Sequence, residues 1–390
     1  MKIPITKPLF GPEELRAVQL PLESGWVVQG PFVRRFEEKF SAFTSARFSV
    51  ATSSCTTALH VAVAAMGLKP GDEVVVPAFT WVSTPNVVEY MGARPVFCDV
   101  HLDTFNMDPN QIDALITPRT VGIMPVHLFG LCANMEPIQK IAERYGLWIV
   151  EDAACAFGAW YGGRHAGTFG EMGCFSFHPR KSITTGEGGM ITTAREDLDQ
   201  VARALRDHGA SRSEREREEG PEAFLLAEYI HLGYNYRMTD IQGALGCAQM
   251  ERAAWILTER SRRARLYDEK LADVQWLQKP TAPKGCVHGY QAYVCMFRPE
   301  VPTLENVHRM HKQRNEVMRA LESKGISTRQ GTHAPVILDY YAVKYGLRPE
   351  QFPASFLADR LALTLPLYAQ MTDGEQESVC QELRDAFDGR

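Results

Sequence analysis

Short apolar runs alternate with amphipathic stretches over the first 250 residues, and this alternation is the feature that most limits the fold. The runs typical of strands are residues 73–76, 95–98, 121–126 and 147–150. Stretches with helical periodicity lie between them, as at residues 56–66 and 135–145. Strands that are apolar throughout are typical of a parallel sheet covered on both faces by helices. The pattern predicts an α/β fold with a mainly parallel central sheet flanked by helices.

The pattern changes near residue 250, where a stretch rich in Arg, Glu and Ala predicts a long helix over residues 250–271. Beyond it we predict a strand at residues 290–297 and helices at residues 314–324 and 373–387, the last capped by Thr372. Because 390 residues are too many for one compact core, two domains are expected. We predict a large domain over residues 1–251, with the N-terminal segment included, and a smaller C-terminal α+β domain over residues 252–390. The mixed-charge segment 211–221 is interpreted as a solvated loop or helix end.

Composition excludes several classes of protein. The 42 basic and 47 acidic side chains give a net charge of −5, which argues against a nucleic-acid partner. No apolar run reaches the ~18 residues that span a bilayer, and the first residues lack the apolar core of a secretion signal. The nine cysteines never have the spacing of a zinc or redox pair. These features predict a cytoplasmic protein with reduced thiols, no metal site and no membrane association.

The densest chemistry surrounds Lys181, which lies between a Phe-Ser-Phe-His-Pro stretch at residues 175–179 and a Gly-Glu-Gly-Gly turn at residues 186–189. A lysine in such a setting can form a Schiff base. We expect burial to lower the pKa of Lys181 and so free its amine for attack on a carbonyl.

Three further features precede Lys181, each after its own predicted strand. The hydroxyl-rich turn at residues 52–60 opens a helix and is suited to bind phosphate, with Ser176 as a further hydroxyl. Trp81 offers a ring for stacking, and Asp152 offers a carboxylate for a pyridinium nitrogen. Alone, the turn is equally well interpreted as a helix cap. Asp152 taken alone is better interpreted as a helix cap, and Trp81 as a core residue. Their order favours a shared site, because open α/β sheets bind ligands at the carboxyl ends of their strands.

At these residues the sequence resembles the DegT/StrS family of nucleotide-sugar aminotransferases, which have the aspartate-aminotransferase fold, type I of the pyridoxal phosphate (PLP) enzymes. The resemblance covers nearly the whole chain. Besides the lysine block, it is carried by residues 24–31, 125–130, 232–242 and 363–368. It implies PLP as the cofactor and a homodimer with shared active sites.

The resemblance also implies a role for single residues. Lys181 matches the lysine that forms the internal aldimine and moves the proton, and Asp152 matches the carboxylate on the pyridine nitrogen. Trp81 lies at the ring-stacking position, while Cys55, Thr56 and Ser176 match the phosphate-binding groups. Asn235 matches a residue that reaches the phosphate of the neighbouring subunit.

Some positions depart from the family pattern. Position 155 is often Gln or His and contacts the phenolic oxygen of the ring, whereas Cys155 can form only a weak hydrogen bond there. A histidine expected just after Ala334 and Pro335 is missing, and this affects substrate contacts. Relatives that dehydrate sugars carry His in place of the lysine, so Lys181 favours the aminotransferase branch.

The predicted activity is transfer of an amino group from an amino acid, by analogy L-glutamate, to a keto sugar of a nucleoside-diphosphate sugar by way of pyridoxamine phosphate. Two alternatives on the same scaffold stay open, namely transamination of a cyclitol or other ketone, and sugar dehydration. A non-catalytic PLP-binding regulator or partner subunit is a further alternative from another class. The sequence leaves the nucleotide, the sugar and the aminated carbon undefined.

Overall fold

The computed structural model describes residues 2–212 and 224–388, and a seven-stranded sheet forms its centre. The strand order is β1-β9-β8-β5-β4-β2-β3, and four of the six neighbouring pairs are parallel. The strands are β1 (Phe48–Thr52), β2 (Glu73–Pro77), β3 (Arg94–Cys98), β4 (Thr120–Ile123), β5 (Trp148–Asp152), β8 (Met172–Ser176) and β9 (Gly189–Thr193). β2 is buried along its whole length, as its valine-rich sequence predicts. The predicted α/β class with a mainly parallel sheet is confirmed.

Helices cover the sheet and extend beyond it. Within the described ranges they are α1 (Pro12–Ser24), α2 (Pro31–Thr44), α3 (Cys55–Ala65), α4 (Ser83–Tyr90), α5 (Met135–Tyr145), α6 (Glu196–Arg206), α7 (Asp240–Lys270), α8 (Val307–Ser323), α9 (Asp339–Tyr345), α10 (Pro353–Leu361) and α11 (Asp373–Asp388). α5 has the predicted bounds. Thr372 caps α11 as predicted, because its hydroxyl accepts the Glu375 N–H and its own N–H donates to the Glu375 carboxylate.

The C-terminal part contains a separate antiparallel sheet of three strands, β10 (Leu277–Gln278), β12 (Tyr293–Phe297) and β13 (Ala362–Leu365). α8 packs against α10 and α11 beside it. A third small sheet joins β6 (Trp160–Tyr161), β7 (Arg164–His165) and β11 (Cys286–Val287). α7 runs without a break through residue 251, where we predicted the large domain to end. The division at that residue stays a prediction.

Several predicted bounds are wrong. The helix predicted at residues 314–324 begins at Val307, and the strand predicted at residues 121–126 ends at Ile123. α7 begins at Asp240 and not near residue 250, and β12 begins at Tyr293 and not at residue 290. Tyr290 has a φ of 44°, a left-handed conformation that a strand excludes. Most of the mixed-charge segment 211–221 lies outside the described residues.

The carboxyl ends of the central strands supply the groups of chemical interest. Asp152 ends β5 and Ser176 ends β8, while α3 and α4 begin shortly after β1 and β2. In the parts of the chain that the structure describes, no helix has both the length and the apolar character needed to cross a bilayer.

Candidate active site

A cavity of about 460 Å³ opens at this edge of the sheet, within the size range of small-molecule sites. Seven of the eight residues singled out from the sequence line it, and only Asn235 does not. The seven are Cys55, Thr56, Trp81, Asp152, Cys155, Ser176 and Lys181. The fold therefore gathers residues that are up to 126 positions apart in the sequence into one site.

The N-terminus of α3 forms one end of this cavity. Ser54 caps the helix, and its hydroxyl accepts the Thr57 N–H at 3.2 Å. The first two amides, of Cys55 and Thr56, precede the repeating helical hydrogen bonds and have no acceptor inside the helix. The Cys55 thiol is buried and donates to the Cys174 carbonyl at 3.6 Å, so this residue can offer a ligand only its backbone. Such a terminus attracts an anion, phosphate above all.

The adjoining strands β8 and β9 complete this anion-binding end. Ser176 pairs with Gly189 across the two strands, and Ser176 lines the cavity. A Cβ atom at position 189 would lie 2.3 Å from the Ser54 carbonyl oxygen and 2.8 Å from the Cys55 nitrogen. Position 189 must therefore be glycine for β9 to pass so close to the start of α3.

Asp152 provides a buried carboxylate. It is only 3% exposed and accepts hydrogen bonds from the Thr84 hydroxyl at 2.7 Å and from the Ala154 N–H at 3.1 Å. Burial raises the pKa of Asp152, and the hydrogen bonds from Thr84 and Ala154 and the charge of Lys181 oppose that rise. A cation placed against this carboxylate would be held in a setting of low dielectric, where its charge is strongly stabilised.

Lys181 contacts Cys155, with its Nζ atom 3.0 Å from the Sγ atom. Burial lowers the pKa of Lys181, but Cys155, Cys55 and Asp152 around the amine raise it by more. The pKa of Lys181 is therefore raised, and the expectation that burial would lower it is wrong for the protein groups taken alone. The physical reason is that side chains from two distant parts of the chain, Cys55 in one and Asp152 with Cys155 in the other, act on this amine.

Two hydroxyl residues at the start of α4 also belong to the site and were not assigned a role from the sequence. Ser83 lines the cavity, and its hydroxyl lies 2.8 Å from that of Thr56. Thr84 donates to Asp152. The only sequence signal for either residue was its place directly after Trp81.

The ring of Trp81 lies 5.8 Å from that of His333, and Trp81 is 57% exposed.

Asn235 lies apart from the cavity, on an exposed loop. Its backbone forms an antiparallel bridge with Asp207, and the carbonyl of the next residue, Tyr236, accepts the Ser53 N–H at 2.8 Å. The loop is thus attached beside the start of α3 while the Asn235 side chain faces outward. Among the described residues, no His, Cys, Asp and Glu side chains group as a metal site would require.

A lysine amine, a buried carboxylate and a helix N-terminus for phosphate, gathered at the carboxyl ends of an open α/β sheet, define a PLP-dependent enzyme. The model of the DegT/DnrJ/EryC1/StrS aminotransferase family matches residues 8–384, and the chain belongs to this family. It is an aminotransferase with PLP as its cofactor.

Individual relatives are similar over nearly their whole length. The chain is 35% identical over 388 residues to the spore coat polysaccharide biosynthesis protein SpsC of Bacillus subtilis, covering 99% of this chain and 97% of SpsC. It is 35% identical over 382 residues to the uncharacterized protein MJ1066 of Methanocaldococcus jannaschii, covering 98% and 97%. Among solved structures, the putative sugar aminotransferase Spr1654 of Streptococcus pneumoniae in its PMP-form superposes with a TM-score of 0.91 at 25% identity over 100% of both chains. Its PLP-form is similar too.

The cavity fits PLP in its chemistry. The close approach of Gly189 to Ser54 and Cys55 shapes a cradle at the start of α3 that suits a phosphate. Asp152 suits a protonated ring nitrogen, and the Lys181 amine suits an aldehyde carbon.

Proposed function

We propose that this aminotransferase moves an amino group from an amino acid, L-glutamate by family resemblance, to a keto sugar carried on a nucleoside diphosphate. The observation that carries the proposal is the presence of Lys181, Asp152 and the start of α3 in one cavity. The sugar class is supported by SpsC, whose name refers to polysaccharide biosynthesis, and by Spr1654, which is named as a putative sugar aminotransferase.

In this proposal each residue has a defined task. PLP, when bound, supplies an electron sink that stabilises negative charge at the carbon losing its proton. Lys181 would hold the cofactor through its amine and would carry a proton to and from the donor Cα. Asp152 keeps the ring nitrogen protonated, because its buried carboxylate favours a cation beside it.

The remaining residues orient the cofactor. The Cys55 and Thr56 amides, with the Ser176 hydroxyl, would hold the phosphate, and Trp81 would stack on the ring. Cys155 contacts Lys181 and therefore orients the amine, in addition to any contact with the phenolic oxygen of the ring.

We also propose that the enzyme is a homodimer in which Asn235 completes the partner's phosphate site. Asn235 is exposed, and three large apolar side chains on the same stretch, Phe224, Leu226 and Leu232, are 85%, 95% and 92% exposed. Exposed apolar residues grouped in this way are typical of a contact surface.

Complementation tests this arrangement. Lys181→Ala and Asn235→Ala homodimers should each be strongly impaired, and mixing them under exchange conditions should restore one intact site per hybrid dimer. If each active site were confined to one subunit, mixing the variants would restore no activity. Light scattering measures the oligomeric state, and a monomeric mass would contradict the homodimer.

A cytoplasmic location is proposed because all nine cysteines are free. Fractionation of cells that express the native gene checks it, and recovery of the protein outside the cytoplasm would contradict it.

The decisive experiment for the activity is a two-step exchange on purified holoenzyme. L-Glutamate should convert the visible absorbance of bound PLP to that of the amine form and release 2-oxoglutarate. A panel of nucleotide-linked keto sugars, cyclitols and simple ketones should then restore the first spectrum, with a nucleotide-linked keto sugar reacting fastest. A cyclitol that reacts faster would redirect the proposal, and a protein inactive with every donor would favour a regulatory role.

A further inference from the structure

His60 is a buried histidine of α3 whose ring packs against the loop that carries Asn235. It is 9% exposed, and burial lowers its pKa, so the imidazole is neutral at pH 7. His60 belongs to the helix whose first turn forms the phosphate-binding cradle, but it is not among the residues that line the cavity. The fold thus places a polar ring between the cradle and an exposed loop.

The two tyrosines on either side of Asn235 pack against His60. The rings of Tyr234 and Tyr236 are stacked, with centroids 4.9 Å apart and an angle of 11° between their planes. The centroid of the His60 ring lies 4.6 Å from that of Tyr234, and His60 Nδ1 lies 3.1 Å from the Tyr236 hydroxyl. Burial raises the pKa of Tyr236, so the phenol keeps its proton and can share a hydrogen bond with the neutral imidazole. We call these three rings the His60 cluster.

The backbone between the tyrosines determines the direction of Asn235. Asn235 forms an antiparallel bridge with Asp207, as an extended segment does. In such a segment consecutive side chains point to opposite sides. Because the side chains of Tyr234 and Tyr236 both face His60, that of Asn235 faces away from it, and the exposure of Asn235 agrees with this direction.

The same loop is also attached to the cradle of its own chain. The Ser53 N–H donates to the Tyr236 carbonyl at 2.8 Å, and Ser53 directly precedes the residue that caps α3. The His60 cluster is therefore connected to two places, the cradle of its own chain and, through Asn235, the surface proposed to meet the neighbouring subunit. A role at one place is separable from a role at the other, because the two phosphates would be held mainly by different chains.

We propose that His60 is a positioning residue whose cluster holds Asn235 in the orientation that completes the partner's phosphate site. The inference rests on the proposed function, in which two subunits share their active sites through Asn235. An asparagine on a loop without such contacts would have to be ordered each time a cofactor binds, at a cost in conformational entropy. The His60 cluster orders the loop in advance, so the amide side chain is directed toward the phosphate before PLP arrives.

Two substitutions remove the hydrogen bond of the cluster from opposite sides. His60→Leu removes the imidazole, and Tyr236→Phe removes only the hydroxyl. Each should raise the dissociation constant for PLP about 3- to 10-fold, as for loss of one hydrogen bond. The double variant should bind PLP no more weakly than His60→Leu does, because both changes remove the same contact. Fluorescence titration of the full-length enzyme freed of PLP measures all three.

Two further variants separate this role from a general loss of packing. His60→Asn, whose amide can occupy the place of Nδ1, should recover much of the affinity. Tyr161→Phe is the matched control, since the hydroxyl of this half-buried tyrosine donates to Asn134 at 3.0 Å and the residue does not line the cavity. It should bind PLP as the wild type does.

Hybrid dimers decide whether the effect crosses to the other subunit. One chain carries Lys181→Ala, so borohydride can fix PLP only to the other chain, and mass spectrometry then counts that site alone. With His60→Leu placed on the Lys181→Ala chain, the intact site should bind PLP as weakly as the His60→Leu homodimer. With His60→Leu placed on the chain that keeps Lys181, the intact site should bind PLP as tightly as in a hybrid without His60→Leu.

The reverse pattern would overturn the proposal, because His60 would then act on the cradle of its own chain. Unchanged PLP affinity in the His60→Leu homodimer would overturn it as well. Melting temperatures identify misfolded variants, and Tyr236→Phe in the same hybrids provides the test if His60→Leu does not fold. Failure of the Lys181→Ala and Asn235→Ala homodimers to complement each other would instead overturn the shared sites of the proposed function itself.

Discussion

The cavity has two regions that are built in opposite ways. At the inner end, formed by Lys181, Asp152 and the start of α3, polar groups are bound to other parts of the protein before any ligand arrives. The outer wall includes Trp81, Arg180 and Arg329, whose side chains are exposed. Within residues 2–212 and 224–388, neither arginine side chain has a hydrogen-bond or ion-pair partner. A preorganised inner end suits one invariable cofactor. The open wall can vary to suit different donors and sugars without disturbing the cofactor.

The largest effect that this comparison predicts is at Lys181. Lys181→Ala should lower turnover at least ~10²–10⁴-fold through loss of proton transfer alone. The phosphate-binding groups remain, so the variant should still bind PLP, but borohydride should no longer fix the cofactor to the chain. Activity assays and mass spectrometry after reduction check both points, with exposed Lys312→Ala as the control. Full turnover in Lys181→Ala would refute the role given to the inner end.

Asp152→Asn should come next, with kcat lowered about 10²–10³-fold, as for removal of one electrostatic stabiliser. Asp99→Asn is the matched control, because Asp99 is also buried but accepts the Ala354 and Ser355 N–H groups at the start of α10, away from the cavity. It should reduce stability and leave kcat unchanged. Steady-state kinetics combined with chemical denaturation separate the two variants. Equal kinetic effects from both would remove the special role of Asp152.

The inner end also depends on a buried ion pair behind it. Glu37 accepts the Ala51 N–H at 2.8 Å and is paired with Arg206 and Arg203, so it secures β1 just before the phosphate-binding turn. Burial raises the pKa of Glu37, but the two arginines and the Ala51 N–H lower it by more, and the pKa is below its usual value. Glu37→Gln should cost about 3 kcal/mol of unfolding free energy at pH 7.

The pH dependence of that cost has a definite sign. In the unfolded chain Glu37 titrates near pH ~4.3. Because its folded pKa is lower, the stabilisation is fully present above that pH and is lost as the pH falls through the folded pKa. Denaturation from pH 7 to pH 3 should therefore show the wild type and Glu37→Gln converging in acid. Glu38→Gln, in an exposed pair with Arg34, should have little effect at any pH. A difference in unfolding free energy between the wild type and Glu37→Gln that does not change with pH would contradict the ion-pair explanation.

The smallest effect should come from the outer wall. Trp81→Ala should change the unfolding free energy by no more than about 0.5 kcal/mol, since the side chain is 57% exposed. Its cofactor affinity should fall several-fold, because an aromatic stack contributes about 0.5–1.5 kcal/mol. Fluorescence titration of the apoenzyme with PLP measures this, and Trp81→Phe should recover most of the affinity. A large loss of stability would show that Trp81 belongs to the core.

Helical periodicity and capping residues correctly predicted those helices whose own sequence favours the structure that they adopt in the fold. α5 and the capped start of α11 follow from periodicity and capping residues alone. The first turns of α7 escaped prediction because Gly243 and Gly246 are poor helix formers. There the packing decides, since a Cβ at Gly243 would lie 2.6 Å from the Val33 nitrogen, and at Gly246 2.8 Å from the Phe36 ring. α7 is held in helical form by its contact with α2.

The site was predictable to the extent that each residue follows a strand end or belongs to a family motif. Asp152 and Lys181 carry such signals, whereas the hydrogen bond from Thr84 to Asp152 is visible only in the folded chain. The pKa of Lys181 was predicted in the wrong direction for the same reason. Sequence spacing showed that the residue would be buried, but not that Cys155, Cys55 and Asp152 would meet at its amine.

The position of β1 at the edge of the sheet has a consequence for protein synthesis. Among residues 2–212 and 224–388, β1 pairs with β9 alone, which is made almost 140 residues later, and Gly189 of β9 passes close to the turn after β1. A nascent chain must therefore emerge from the ribosome beyond residue 193 before its cofactor cradle can exist. Chains stalled before β9 should retain no PLP, while chains stalled well after it should. Supply of the vitamin-derived cofactor would thus influence the finished subunit and not the early stages of its folding.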